Sequence, residues 1–372
     1  LHYLSIYNNY LTGSIPSELG NLTLLWYLGL ENNYLTNTIP STLGQLNAIE
    51  GIFLNNNYLT GNLPQELSYC SNLYALILDN NDFTGSLPIE FGNFHSLRYF
   101  SIVNNEISST IPSSLWNLHH LLHFVVSNNY ITGTLSLSIT NAKVLTSLNI
   151  SNNYMYGSIP SVLGQLHTLQ VISLSGNHFT GSLPPAMSAL THLYDLDISR
   201  NALTGPLTHV FNASKQTRLS TVVLGNNSFT GPLPDSLFHL HNIVSVSIFS
   251  TCLTGTLPEN VCSSGSTLQY LTLNGLHTAA SCRRTVWSST ISKAYTISTA
   301  FSGTVPPCVY TMPYLNSLQL SGNSLTGSLP DTVSNSLVDL TLSHNQLIGT
   351  LPLSLQRHAW LSLDLSYNRL TG

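Results

Sequence analysis

Residues 8–16 read NNYLTGSIP, and this phrase decides the fold because the chain repeats it many times. Near-copies follow as NNYLTNTIP at 32–40, NNYLTGNLP at 56–64, NNDFTGSLP at 80–88 and NNYMYGSIP at 152–160. The second Asn belongs to a longer pattern, LxxLxLxxNxL, which recurs every 24 residues from Asn9 to Asn201. A constant period predicts a solenoid, whose coils bury their apolar residues against the coils before and after them.

Each coil is expected to open with a short strand. In the first coil the Leu and Ile of the pattern should point inward, while Tyr3, Ser5 and Tyr7 alternate outward with the period of two that strands have. Strands of successive coils should then stack in parallel. Gly13 permits a tight bend and Pro16 fixes the return path, so the TGxxP half of the phrase accompanies the NxL half.

The pattern also places one Asn inside each coil. An unpaired buried amide costs about 1–3 kcal/mol, so we expect each Asn to bond the backbone of the adjoining coil and to form a ladder. The ladder positions are Asn9, Asn33, Asn57, Asn81, Asn105, Asn129, Asn153, Asn177, Asn201, Asn227, Asn323, Asn345 and Asn368. The series lapses at Thr251, Leu276 and Thr299.

We count about sixteen coils in a single solenoid, residues 1–372. Residues 1–207 hold the regular repeats, 208–250 hold repeats with a small insertion, 251–314 hold degenerate repeats that contain cysteines, and 315–372 are regular again. The chain starts and stops inside a coil, so we expect the solenoid to be incomplete at both ends.

The full unit, LxxLxLxxNxLTGxIPxxLGxL, resembles the plant-type leucine-rich repeat. That class includes the ectodomains of receptor-like kinases, receptor-like proteins and cell-wall polygalacturonase inhibitors, and similar repeats occur in protist surface proteins. The resemblance covers nearly the whole chain. It implies a mostly β solenoid of the α/β class: a right-handed superhelix with a parallel concave sheet and a second, lateral strand at the xIP segment. The paired-cysteine caps of plant receptors are missing here.

Composition excludes several classes of function. Charged residues make up only 7% of the chain and the net charge is −5, so no basic stripe is available to neutralise the phosphates of a nucleic acid. No apolar run approaches the length of a membrane span. We expect contact with a membrane only through segments outside this chain.

The sequence shows no catalytic constellation. His119, His120 and His123 form HHxxH, but they run from a loop into a strand and are not expected to converge on a metal. Asp195 and Asp197 occupy adjacent outward positions of one strand, where an open sheet offers no cleft to shift their pKa. We therefore predict that the protein is not an enzyme and holds no cofactor and no metal.

Cysteines cluster where the repeat fails. Cys70 takes an inward Leu position and should be a buried thiol, whereas Cys252, Cys262, Cys282 and Cys308 are disulfide candidates. Three pairings of these four are possible, and we favour Cys262 with Cys282, on neighbouring convex turns. Covalent links would replace the hydrogen bonds that the missing ladder Asn no longer makes.

The same region holds the chain's only concentration of positive charge with aromatic residues: Arg283, Arg284, Trp287, Lys293 and Tyr295. Some receptors of the resembled class interrupt their repeats with a ligand-binding island, so this cluster is a secondary contact candidate. Leu268, Ile291 and Leu315 nevertheless keep spacings of 23 and 24 residues. This spacing favours two decayed coils over an inserted island.

Outward strand positions are the primary candidate for binding a partner. In the first six coils they include Tyr3, Tyr7, Tyr27, Phe53, Ile77, Tyr99, Val103, His123 and Val125. A row of exposed aromatic and apolar groups usually marks a contact surface. From the seventh coil onward the same positions are mainly Ser, Asn, Thr, Gly and Asp, so we place the contact in the N-terminal third.

Four sequons, at Asn21, Asn149, Asn212 and Asn226, are glycosylation candidates, a number no greater than this composition gives by chance. Asn149 should point outward from a concave strand, where a sugar would obstruct the groove.

Together these features predict a non-enzymatic extracellular recognition module. It would be the secreted or cell-surface ectodomain of a receptor-like or adhesion protein that binds a protein, peptide or glycan on its concave or lateral face. One alternative is a structural glycoprotein of a surface coat or fibril, assembled by stacking of solenoids into filaments. A second alternative is an inhibitor of a cell-wall enzyme.

Overall fold

A computed structural model describes residues 1–276, 278, 282, 284–288, 293–297 and 301–372. The chain forms two compact units, Leu1–Phe179 and Thr180–Gly372. In each unit successive coils contribute one parallel strand to a main sheet and many add a second strand to a lateral sheet. The mostly β solenoid predicted from the repeat is confirmed.

The first unit is regular throughout. Its main sheet is built from Tyr3–Ser5, Tyr27–Gly29, Gly51–Phe53, Ala75–Ile77, Tyr99–Ser101, His123–Val125, Ser147–Asn149 and Val171–Ser173. Its lateral strands are Thr12–Ser14, Tyr34–Asn37, Tyr58–Gly61, Asp82–Phe83, Ser108–Thr110, Tyr130–Gly133 and Tyr154–Ser158. Short 3₁₀ helices return the chain at Ser17–Asn21, Ser41–Gln45, Gln65–Tyr69, Ile89–Asn93, Ser113–Asn117, Leu137–Asn141 and Ser161–Gln165.

Local chemistry explains this path. The middle residue of every main-sheet strand except the first and the last is buried, as Leu28 and Ile52 are, so one strand face covers the core and the other faces solvent. The first Asn of the NN pair turns the chain in the left-handed region, with φ of 57° at Asn32 and 58° at Asn56. Asn tolerates that region better than most residues. Pro precedes most of the 3₁₀ helices, as Pro40 does.

The second Asn of the pair binds coils together. Asn57 Oδ1 accepts a hydrogen bond from the backbone N–H of Leu35 in the preceding coil at 3.0 Å. Its Nδ2 donates to the carbonyl oxygens of Leu30 and Leu54, both at 3.1 Å. The bonds that reach the preceding coil recur at Asn33, Asn81, Asn105, Asn129, Asn153, Asn177, Asn227, Asn323, Asn345 and Asn368. Asn9, in the first coil, bonds its own coil, as Asn201 does.

The second unit repeats the plan less regularly. Its main-sheet strands are Asp195–Asp197, Thr221–Val223, Ser245–Ser247, Tyr270–Thr272, Ser317–Gln319, Asp339–Thr341 and Ser362–Asp364. Its lateral strands include Ala202–Pro206, Ser228–Gly231, Cys252–Leu253, Gly255–Thr256, Phe301–Thr304, Ser324–Thr326, Ile348–Gly349 and Arg369–Leu370. One further lateral strand, His178–Ser182, begins two residues before the unit. Helices lie at Pro185–Ala189, Asp235–Phe238, Glu259–Ser264, Pro307–Tyr310 and Leu353–Arg357.

The prediction of two decayed coils is wrong. Tyr270–Thr272 pairs directly with Ser317–Gln319, Tyr270 opposite Ser317, which leaves no place between them for another main-sheet strand. The chain instead leaves the coil and forms an antiparallel hairpin of Arg284–Ser288 and Lys293–Ile297. Ile291 and Thr299 lie outside the described residues. The main-sheet strands among the described residues number eight in the first unit and seven in the second.

The ladder is bridged across this interruption. Asn323 donates to the carbonyl oxygen of Leu273 at 2.8 Å and accepts from the backbone of Leu276 at 2.9 Å. Thr251, where the Asn is missing, donates its hydroxyl to the carbonyl oxygen of Leu276 at 3.0 Å. The hydrogen bonds therefore continue although the sequence pattern lapses.

The favoured disulfide pairing is also wrong, although all four candidate cysteines are bridged. Cys252 is joined to Cys282, with Cα atoms 5.2 Å apart, and Cys262 to Cys308, with Cα atoms 6.0 Å apart. Sequence proximity suggested that Cys262 and Cys282 lie on neighbouring turns, but Cys282 lies against the strand Cys252–Leu253. Cys262 is instead joined to Cys308 on the helix Pro307–Tyr310. Cys70 is a buried free thiol, and burial raises its pKa to about 12.

Candidate functional site

The solvent-facing side of the first unit's main sheet, called here the outer face, carries the residues predicted to bind a partner. Tyr3, Tyr7 and Tyr99 are exposed, and the remaining six are half-buried: Tyr27, Phe53, Ile77, Val103, His123 and Val125. The register places Tyr3 beside Tyr27 and Tyr99 beside His123. Gly51 and Ala75 separate these two pairs in the same column, so the aromatic residues form two clusters.

The first aromatic cluster consists of Tyr3, Trp26, Tyr27 and Phe53. The Tyr27 ring stacks on Tyr3 with centroids 4.5 Å apart and on Phe53 with centroids 5.1 Å apart. The Trp26 ring lies 5.2 Å from Tyr3 and 6.0 Å from Tyr27. The four rings thus make contact across three successive strands.

Two glycines determine how these rings lie. A Cβ atom at Gly29 would meet Cε1 of Tyr27 at 2.8 Å, and one at Gly51 would meet Cε2 of Phe53 at 2.7 Å. The two rings therefore lean along their own strands, over positions that lack side chains. Tyr27 is paired with Gly51, and Gly29 is paired with Phe53. Each ring therefore covers the glycine that lies beside the other ring, and the two rings come into contact. The glycines are part of the site because any larger residue would displace a ring.

A carboxylate lies against this cluster. A Cβ atom at Gly29 would be 3.1 Å from both Glu31 Oε2 and the Tyr27 hydroxyl oxygen, so the two groups are neighbours. Burial, followed by the charge of Glu31, raises the pKa of Tyr27 to about 12. Oε2 of Glu31 is itself buried and has no hydrogen-bond partner among the described residues.

The second aromatic cluster consists of Tyr74, Tyr99 and His123. The Tyr99 ring stacks on His123 at 5.0 Å and meets the edge of Tyr74 at 6.3 Å. A cleft of about 570 Å³ adjoins it, lined by residues that include Arg98 and His120. Burial lowers the pKa of His123, so its imidazole is neutral over a wider range of pH.

The site residues predicted from the sequence do not include Trp26, Glu31, Tyr74 or Arg98. Three of them, Trp26, Tyr74 and Arg98, occupy the position just before a main-sheet strand. Glu31 follows its strand by two residues, which is the position that Tyr7 takes in the first coil. Including both flanking positions of each strand would have found all four.

The outer face of the second unit is polar and partly acidic. Burial, followed by the charge of Asp197, raises the pKa of Asp195. Asp339 accepts hydrogen bonds from the Ser317 hydroxyl at 2.7 Å and from Gln319 at 2.9 Å. The sheet therefore shifts the pKa of the half-buried Asp195, contrary to the expectation from sequence, and Asp339 is hydrogen-bonded within the sheet.

The basic secondary candidate falls on the hairpin. Arg284 is paired with Ile297, Trp287 with Ala294, Tyr295 with Val286 and Lys293 with Ser288. Arg283 lies outside the described residues. Contact through this segment stays a prediction.

Histidine and sequon positions are placed as follows. His119 and His120 are exposed in the turn before His123–Val125, and no group of three His, Cys, Asp or Glu side chains within the described ranges is arranged to hold a metal. Asn149 accepts a hydrogen bond from the hydroxyl of Ser151 in its own sequon at 2.8 Å, as Asn212 does from Ser214 at 2.7 Å. Asn21 and Asn226 are exposed. Glycosylation at the four sites stays a prediction. No helix in the described part of the chain has the length and apolar character to cross a bilayer.

Comparison with known proteins identifies similar repeats. The Leucine Rich Repeat family model matches residues 1–22, 72–94, 96–118, 144–166, 168–190, 218–240, 314–336 and 336–358. Receptor-like protein 18 of Arabidopsis thaliana is 40% identical over 73 residues, which are 19% of this chain and 8% of that protein.

Solved structures with the same fold include plant receptors. The plant peptide hormone receptor RGFR1, solved in complex with RGF2, is 29% identical with a TM-score of 0.81 over 100% of this chain and 60% of that one. The ectodomain of the Arabidopsis receptor kinase HAESA, solved with an N-terminally extended IDA peptide hormone ligand, is 26% identical with a TM-score of 0.72 over 100% of this chain and 71% of that one. This chain therefore spans only part of the length of the proteins that it resembles.

Proposed function

The chain is a leucine-rich repeat protein of the plant type, and from that premise we propose that it is the ligand-binding ectodomain of an extracellular, receptor-like protein. Its ligand is an extended peptide that lies across the outer face of the first unit. The protein acts by binding and carries out no chemistry on the ligand. Two similar receptors were solved with peptide hormones, which supports a peptide over a glycan.

The observation that carries this proposal is the pair of aromatic clusters on paired strands. Tyr3 and Tyr99 are each more than a third exposed, at 47% and 38%, although both rings pack on neighbours. Stacked rings held by a sheet are already ordered, so a ligand that binds them incurs little further loss of side-chain entropy. Tyr and Trp are also the residues most enriched at binding hot spots.

The test is selection of random decapeptides by the purified chain, using an mRNA-displayed library. We compare the wild type with the triple variant Tyr7→Ser, Tyr27→Ser and Phe53→Ser. The matched control, Val223→Ser, Phe249→Ser and Tyr270→Ser, removes outward apolar groups from the second unit. Circular dichroism and thermal unfolding confirm that each variant is folded.

We expect the wild type and the control to enrich the same peptides and the first triple variant to lose them. If the control loses the peptides and the first variant keeps them, the assignment to the first unit is wrong. If the folded wild type enriches no peptide, the proposal of a peptide ligand is overturned.

A further inference from the structure

Glu31 has an unusual environment for a surface carboxylate. It stands two residues after the strand Tyr27–Gly29, against the Tyr27 hydroxyl and beside the first aromatic cluster. Oε2 is buried, and no hydrogen-bond donor of the described residues reaches it. A buried polar atom without a partner costs about 1–3 kcal/mol, so the arrangement is unfavourable until a donor arrives.

The sequence places no Lys or Arg in the first four coils, where this carboxylate lies. The first Lys or Arg in the sequence is Arg98, three coils further along the chain. Besides Glu31, the titratable groups that act on Tyr27 are the phenols of Tyr3 and Tyr7, and a phenol carries no positive charge. The negative charge of Glu31 is therefore not compensated within this part of the sheet.

Aromatic rings beside a carboxylate favour one class of ligand. The faces of Trp and Tyr rings carry negative electrostatic potential and attract ammonium and guanidinium groups. The Trp26 side chain is 42% exposed and Tyr3 is 47% exposed, so both rings are accessible from solvent. A cation placed here would contact the rings and approach the carboxylate at the same time.

We propose that the first aromatic cluster and Glu31 form a subsite for one cationic group of the bound peptide, either a Lys or Arg side chain or a free N-terminal ammonium. The inference rests on the proposed peptide-binding function and specifies the chemistry that this end of the outer face selects. An apolar side chain would cover the rings but leave the carboxylate unpaired in a drier environment. An anionic side chain would be repelled.

Small probes test the subsite without knowledge of the natural ligand. Ligand-observed NMR titration measures the affinity of the full chain for acetyl-arginine methylamide, acetyl-lysine methylamide and leucine methylamide with a free amine. Acetyl-citrulline methylamide, acetyl-norleucine methylamide and acetyl-leucine methylamide are their respective uncharged counterparts. The variant Glu31→Gln removes the charge with little change of shape, and Glu66→Gln, on a 3₁₀ helix of the same unit, is the matched control.

We expect a charged probe to bind roughly tenfold more tightly than its neutral counterpart, since a cation–π contact and an ion pair add together. Glu31→Gln should remove that preference, and Glu66→Gln should retain it. Preference for the acetylated side-chain probes or for the free amine identifies which cation is selected. Equal affinity for every charged probe and its own neutral counterpart, or a preference that survives in Glu31→Gln, overturns the inference.

The peptide selection separates this inference from the proposed function. The wild type could enrich peptides that the triple Ser variant loses but that share no cationic group at any one position. That result would support the proposed function and refute the subsite. Enriched peptides with a Lys, an Arg or a free amine at one position, weakened by Glu31→Gln, would support both.

Discussion

Asn81 Oδ1 accepts a hydrogen bond from the backbone N–H of Leu59, one coil earlier, at 3.0 Å. Its Nδ2 donates at the same time to the carbonyl oxygens of Leu54 and Leu78, at 3.0 and 3.1 Å. One buried side chain thus satisfies three backbone groups in two coils, which makes the ladder a structural link between coils.

Replacing this amide should therefore be costly. Asn81→Ala leaves the Leu59 N–H and two carbonyl oxygens without their partner, and we expect the free energy of unfolding to fall by about 3 kcal/mol. Asn93→Ala, at an exposed position of the same coil, should change it by less than about 0.5 kcal/mol. Urea unfolding monitored by circular dichroism measures both. Equal effects for the two variants would contradict a structural role for the ladder.

Gly61 is constrained both by its own backbone and by Thr38. Its φ is +76°, and a Cβ atom there would lie 2.7 Å from Thr38 Cγ2. Gly61→Ala should cost about 2 kcal/mol, because left-handed strain and a steric clash combine. Gly231 has a similar φ of +80°, but a Cβ atom there would lie 3.8 Å from its nearest neighbour. Gly231→Ala should therefore lower the free energy of unfolding through backbone strain alone.

A second substitution separates the two causes. Adding Thr38→Ser to Gly61→Ala removes the clashing methyl group and should restore part of the melting temperature. If the double variant melts no higher than Gly61→Ala alone, the clash contributes nothing and backbone strain accounts for the whole loss.

The two disulfides should be separable by experiment. Peptide mapping of the unreduced protein should recover Cys252 linked to Cys282 and Cys262 linked to Cys308. Recovery of Cys262 linked to Cys282 would refute this assignment. The links close loops of 30 and 46 residues, so replacing either pair with Ala should lower the free energy of unfolding by about 3–4 kcal/mol.

Asp195 gives a pH dependence of opposite sign to that of most carboxylates. Burial raises the pKa of its carboxyl group. Just above the ordinary pKa of 3.8 the folded protein therefore keeps the carboxyl proton, whereas the unfolded chain has released it. The free energy of unfolding therefore falls as pH rises through that window and stays lower at neutral pH. Asp195→Asn should remove this fall and raise stability at pH 7, by at most about 0.5 kcal/mol because the group is only half-buried.

Asp364 is the matched control for that experiment. Hydrogen bonds from Ser366 lower its pKa, so its contribution is present above 3.8 and is lost as pH falls through the lowered value. Asp364→Asn should therefore destabilise the protein at pH 7 and have less effect at acid pH. Thermal unfolding between pH 3 and pH 7 checks both, and the same sign for the two variants would contradict the assignment.

Several features could be predicted from the repeat alone. The period of 24 residues identified the coils, and Asn81 and its counterparts identified the internal ladder. These features depend on each residue's nearest neighbours, which in a solenoid are the same positions one period before and after. Tyr3, Tyr27 and Phe53 were found for the same reason, since alternation along a strand determines which side chains face solvent.

The sequence by itself therefore determined the solenoid, its ladder and the outward positions. Only the tertiary structure decided that the chain leaves its coil between Tyr270–Thr272 and Ser317–Gln319, and only it decided the disulfide pairing. It alone also brought Glu31 against Tyr27 over Gly29. The physical reason is that a repeat predicts which residues touch only as long as each coil has the same number of residues. An insertion breaks that count, and the direction in which a ring leans depends on the space that the neighbouring strands leave.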